Sequence, residues 1–192
     1  MMKYLANIRI LCLLLAIGLV RAMPADGQIS LGARAGYNLD AFSDNGAEEG
    51  AFMLGGEARL GLQELPIVLN PGVDYYLNGV DNTSVMQFDA NVLYPISHNN
   101  VNFVPYVGAG LAVTRVTFDP NTGLIGSLLV DKSSETDVGA NVIGGATFGL
   151  GAIRPFAQAR ITIGDHLAFM NRNGDGGPGY SLMGGLLFTI GS

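Results

Sequence analysis

Six charged residues, Arg34, Glu57, Arg59, Asp74, Asp89 and Arg160, fall inside stretches where apolar residues alternate with small or polar ones. Each lies on the non-apolar phase of its stretch, so all six share one environment. Buried charges must pair, because an isolated one costs on the order of several kcal/mol. Two chemistries fit such a set. One is an ion path or gate. The other is a structural plug of mutual salt bridges. A selective path is lined mainly by one sign of charge. Three cations against three carboxylates favour the plug.

Other candidates are weaker. A nucleophile needs a base within reach, but the neighbours of His166, DHLAFMN, contain no Ser, and His98 lies in a short turn. Asn171, Asn173, Asp175 and Gly176 in NRNGDGG mimic the first half of a calcium loop. Leu182 stands where the closing bidentate Glu belongs, so a Gly-rich turn is the better reading. Gly108-x-Gly110 lies inside an alternating stretch and is not a phosphate loop. The single Cys, Cys12, sits in an apolar N-terminal run. No catalytic residue, metal ligand or cofactor is expected.

The elements that position the six charges are strands. Phe103–Val116 is the clearest: Phe103, Pro105, Val107, Ala109, Leu111 and Val113 alternate with Val104, Tyr106, Gly108, Gly110, Ala112 and Thr114. A period of two with different faces marks a strand between two solvents. The same device recurs at Gln28–Asp40, Ala51–Leu62, Ile67–Asn78, Val85–Pro95, Asp137–Leu150, Pro155–Gly164 and Tyr180–Ile190, making eight strands. Pro71 removes a ladder donor and marks a possible bulge. The connections after the first, third, fifth and seventh strands are long and acidic, as in Ala41–Gly50 and Thr117–Thr136. The others are short turns. Long outer loops and short periplasmic turns are the asymmetry of a membrane barrel.

Composition points the same way. Charged residues are 14% of the 192-residue chain, with 28 Gly and no Trp, against about 25% charged in soluble domains. Lys3 and Arg9 precede the apolar run Ile10–Val20, which reads as a signal peptide over residues 1–27, leaving a barrel domain over 28–192. From Gln28 onward seven Lys and Arg stand against fifteen Asp and Glu, a net of −8, which excludes nucleic acid as a partner.

The few charges and many glycines of the polar face suit a crowded lumen rather than a water-facing surface. The apolar face then meets lipid. It carries two aromatic levels, Tyr37, Phe52, Tyr75 and Tyr180 toward the long loops and Tyr94, Phe103, Phe148 and Phe188 toward the short turns, placed as interfacial girdles. Below the charge belt the lumen phase turns apolar at Val68, Leu93, Val104, Phe156 and Leu187, an expected hydrophobic stopper at the periplasmic end.

PYVGAGLAVTRV (Pro105–Val116) resembles the central glycine-rich strand of small outer-membrane barrels of the OmpA/OmpX type, and YSLMGGLLFTI (Tyr180–Ile190) resembles their C-terminal assembly strand. The family's usual terminal aromatic is replaced here by Phe188 followed by Thr189-Ile190-Gly191-Ser192. The resemblance implies an all-β, eight-stranded antiparallel up-and-down transmembrane barrel in the bacterial outer membrane. Its implied partners are outer-membrane lipid, the barrel-assembly machinery through the last strand, and an unidentified extracellular ligand, with the chain a monomer. The expected role is a structural or interaction barrel displaying acidic loops. A narrow porin-like channel and a lipid-modifying rim enzyme are the alternatives.

Overall fold

The computed structural model describes residues 29–39, 43–44, 47–48, 50–62, 65–77, 83–96, 102–118, 133–149, 151–164 and 178–190. The expected signal peptide, His98, His166, the NRNGDGG stretch and the acidic residues Asp119 and Asp131 lie outside them.

The strands are β1 (Ile29–Asn38), β2 (Ser43–Asp44), β3 (Ala47–Glu48), β4 (Ala51–Gly61), β5 (Val68–Leu77), β6 (Thr83–Pro95), β7 (Phe103–Phe118), β8 (Ser133–Phe148), β9 (Ile153–Gly164) and β10 (Gly179–Ile190). Eight of them close an antiparallel barrel in the order β1-β10-β9-β8-β7-β6-β5-β4. β1 pairs with both β4 and β10, so the first and last strands seal the sheet. Closure removes the sheet edges that lipid cannot satisfy.

Alternation sets the facing of every barrel strand. Along β6, Val85, Gln87, Asp89, Asn91 and Leu93 are buried while Met86, Phe88, Ala90, Val92 and Tyr94 are exposed. The outer surface is consequently a band of exposed apolar side chains, among them Leu54, Phe88, Val107, Leu111, Val142 and Leu186. In water such a band would drive association; in a bilayer it is the solvated face.

Three local expectations change. Residues 41–50, expected to be a loop, hold the short β2–β3 ladder. β8 begins at Ser133, and Phe118 pairs with Ser133, so the β7–β8 ribbon extends into the segment expected to be loop. Hydroxyl and acidic residues hide this strand because both its faces are exposed there, at Ser134, Glu135 and Thr136. Pro71 makes no bulge. The β4–β5 register passes from Glu57↔Gly72 to Leu60↔Leu69 with no inserted residue. Ala58 faces Pro71, which has no N–H to give, and Asn70 Nδ2 donates to the Ala58 carbonyl instead at 3.0 Å.

The short turns close one barrel end. Gly151 carries the β8–β9 turn at φ 74°, a conformation that costs a side-chain-bearing residue energy. Ile96 N–H donates to the Pro105 carbonyl at 2.8 Å, closing the β6–β7 connection.

Candidate functional site: the lumen

Register brings the six charges from five strands to one level. Arg34 on β1 is the hub. Its Nε and Nη2 donate to the two oxygens of Asp74 at 2.7 and 2.9 Å. Its Nη1 reaches Glu57 at 3.0 Å, and Nη2 also reaches Asp89 at 2.7 Å. Arg160 enters from β9 and bonds Asp89 and Asp74 through Nη1 at 2.6 and 2.9 Å. Arg59 closes the set through Nε on Glu57 at 2.7 Å. The Arg34, Arg160, Glu57, Asp74 and Asp89 side chains have at most 1% of their surface exposed. Between side chains so buried, each bidentate or shared contact is a strong charge-assisted bond.

Glycine makes room for the hub. A Cβ on Gly72 would lie 2.7 Å from Arg34 Nη2. A Cβ on Gly55 would collide with Asp74. These two close approaches let the Arg34–Asp74 pair lie flat against the lumen wall.

Neutral side chains extend the network. Gln87 and Asn141 donate to Asp89 Oδ1 at 2.8 and 2.9 Å, and Tyr76 donates to Gln87 at 2.8 Å. Arg59 donates to Thr147 at 2.8 Å and to Tyr106 at 3.0 Å. Its guanidinium lies 4.7 Å from the Tyr106 ring centre and 4.6 Å from that of Phe156. Such contacts hold a cation by the ring quadrupoles as well as by hydrogen bonds. Sequence reasoning passed over these neutral partners; their inward phase was the available signal.

Apolar layers lie on both sides of the charges. Toward the long loops, Ala51, Met53, Tyr76, Val85, Val116 and Met183 form a buried cluster. This layer was not foreseen, although each member occupies the inward phase of its strand. Toward the short turns, Leu93, Tyr106 and Ile143 pack together, with Val68 against them. Of the five residues expected to form the stopper, Leu93, Phe156 and Leu187 are buried, whereas Val68 and Val104 are half-buried. Val68, Leu93, Val104 and Leu187 line a cavity of about 170 Å³ at this end, so this layer surrounds a void rather than filling it.

The aromatic residues occupy both ends of the lipid face. Phe52, Tyr75 and Tyr180 are exposed near the long loops, where Tyr37 packs edge-on against Phe52 at 4.9 Å. Tyr94, Phe103, Phe148 and Phe188 are exposed near the short turns, with Phe103 and Phe148 paired at 5.5 Å. Among the described residues no group of three or more His, Cys, Asp or Glu is arranged to hold a metal ion.

Comparison with known proteins bears on this architecture. The sequence matches the family model described as outer membrane protein beta-barrel domain over residues 10–184. No curated protein matches the chain. Among solved structures, it is similar to the N-terminal β-barrel domain of OprF from Pseudomonas aeruginosa, with a TM-score of 0.60 and 15% identity, covering 85% of this chain and 97% of that one. Neisserial surface protein A gives a TM-score of 0.60 at 14% identity, over 86% of this chain and 98% of that one. Ail, the attachment invasion locus protein of Yersinia pestis, gives 0.55 at 10% identity, over 86% and 99%. At these identities the likeness is one of fold.

Proposed function

The chain belongs to the outer membrane protein beta-barrel family, and from that premise we propose that this outer-membrane barrel is a closed scaffold displaying an acidic extracellular surface. The observation that carries the reading is the Arg34 guanidinium, which reaches from β1 to carboxylates on β4, β5 and β6 and meets Arg160 of β9 on two of them, with 1% of its side chain exposed. Three cations and three carboxylates neutralise one another, leaving no dominant sign to select a permeant ion. The apolar layer above the charges opposes wetting of the lumen from the outer side. The display half of the reading rests on the long connections. Residues 39–50, 78–82, 119–132 and 165–178 hold nine Asp and Glu against Lys132 and Arg172. Such a surface attracts cationic partners and repels anions in a salt-dependent way.

Proteoliposomes test both halves. The wild-type barrel should leave potassium and arabinose efflux at the rate of empty vesicles. It should also retain the vesicles on a polylysine surface at low salt, and conversion of the nine acids to their amides should release them. Rapid efflux through the wild type would replace the scaffold with a narrow channel. Retention unchanged by loss of the nine acids would remove the display role.

A further inference from the structure

The periplasmic mouth of the lumen has features that the closed-scaffold reading leaves unused. Its cavity measures about 170 Å³, close to the roughly 150 Å³ of an apolar cavity that admits benzene. Val68, Leu93, Val104 and Leu187 give it apolar walls. Arg154 stands in the same lining, opposite Leu187 in the β9–β10 register and on the inward phase of β9. Arg154 is half-buried, and it takes part in none of the ion pairs found among the described residues. The charges deeper in the lumen already balance, so among the described residues Arg154 is a surplus cation at an apolar opening. Arg59 also contributes to the wall with 10% of its side chain exposed, though its carboxylate partner Glu57 offsets it.

We infer that this mouth binds a compact amphiphilic monoanion from the periplasmic side, with an apolar body of benzene size in the cavity and a carboxylate on Arg154. The cavity size sets the body, and a half-buried guanidinium is matched by a planar carboxylate in a forked pair. A neutral molecule of the same shape would fill the walls and leave Arg154 without a counter-ion. A longer or bulkier molecule would exceed the cavity. The site is separate from the extracellular loops and does not depend on whether the lumen conducts.

Benzoate is the probe, with benzyl alcohol as its neutral counterpart. Both are titrated calorimetrically at pH 7 into the full barrel in lipid nanodiscs, with empty nanodiscs subtracted. The expected result is saturable one-to-one binding of benzoate, at least tenfold tighter than that of benzyl alcohol. Arg154→Gln should erase that preference while leaving benzyl alcohol binding unchanged. Val104→Phe, which fills the cavity, should abolish binding of both. Far-UV circular dichroism and the mobility of unheated samples in gels verify that each variant is folded, and Arg154→Lys serves as a second variant that keeps the charge. Equal affinities for the two probes, benzoate binding untouched by Arg154→Gln, or heats equal to those of empty nanodiscs would each overturn the inference.

Discussion

Replacing Arg34 by Met removes the hub of the lumen while keeping an unbranched side chain of similar length. Asp74 Oδ1 loses its only bond of those described here, from Arg34 Nε at 2.7 Å. Glu57 Oε2 loses the 3.0 Å bond from Nη1. Asp74 Oδ2 and Asp89 keep Arg160, and Glu57 Oε1 keeps Arg59. The variant therefore leaves two carboxylate oxygens unpartnered on side chains with no solvent exposure, and one uncompensated negative charge. A buried group left so costs about 1–3 kcal/mol or more when charged, and breaking a buried ion pair costs about 3–5 kcal/mol. The expected loss is thus ~3–5 kcal/mol, read from reversible urea unfolding in lipid vesicles by far-UV circular dichroism with linear extrapolation. Adding Asp74→Leu restores the charge balance, with Glu57 and Asp89 facing Arg59 and Arg160. The double variant should recover at least ~1 kcal/mol, a coupling of the size found for groups in one network. A cost below ~1 kcal/mol for Arg34→Met, or a full additional cost from Asp74→Leu, would refute the reasoning that a dry, mutually neutralised network holds this lumen.

Further outcomes follow from the same geometry and use the same unfolding assay. Val107→Arg places a cation on the exposed apolar band and should cost ~2–4 kcal/mol, whereas Thr136→Arg, exposed near the long-loop end of β8, should cost ~0–1 kcal/mol; equal costs would contradict the facing of the strands. Gly72→Val must displace the Arg34 guanidinium, which lies 2.7 Å from the Cβ position, and should destabilise by ~1–3 kcal/mol as overpacking does. Asn70→Ala removes the donor that stands in for the missing Pro71 N–H and should cost ~1–3 kcal/mol, with no loss if a second donor reaches Ala58.

The facing of the barrel strands was legible because lipid and lumen impose opposite demands on alternate residues. Val107 and Tyr106 are neighbours in sequence, yet one is 49% exposed and the other 3%. Alternation fails where both faces meet the same solvent, and the start of β8, where Ser134, Glu135 and Thr136 are all exposed, is such a place. The level of the charges was also legible, since all six lie within strands. Their partners were not. Arg34 and Asp74 are 40 residues apart, and Arg160 and Asp89 are 71 apart. Which of them meet depends on the stagger of the closed sheet, a property of all eight strands together. The apolar layer of Met53, Val85, Val116 and Met183 escaped notice for a related reason. These four residues are scattered one each over β4, β6, β7 and β10, and only the closed sheet brings them together. The cavity at the other end depends on side-chain volume against available space, which alternation does not encode. Val68 and Val104 are apolar and inward, as a stopper needs, but too small to fill it.

Water access to the lumen tests the closed-barrel account most directly. Cys12 is the only cysteine of the chain, so a Cys12→Ser background allows single thiols to be placed at will. Ala112 faces inward beside Asp89 in the β6–β7 register, below the outer apolar layer, and is 0% exposed, while Thr136 is exposed on the outer face opposite Arg115, near the long-loop end of β8. The barrel in vesicles, carrying Ala112→Cys or Thr136→Cys, is treated with a charged, membrane-impermeant thiol reagent, and labelling is followed by mass. The account predicts rapid labelling at Thr136→Cys and none at Ala112→Cys, from either side of the membrane. Labelling of Ala112→Cys at a rate comparable to Thr136→Cys would mean a water-filled lumen and would contradict it.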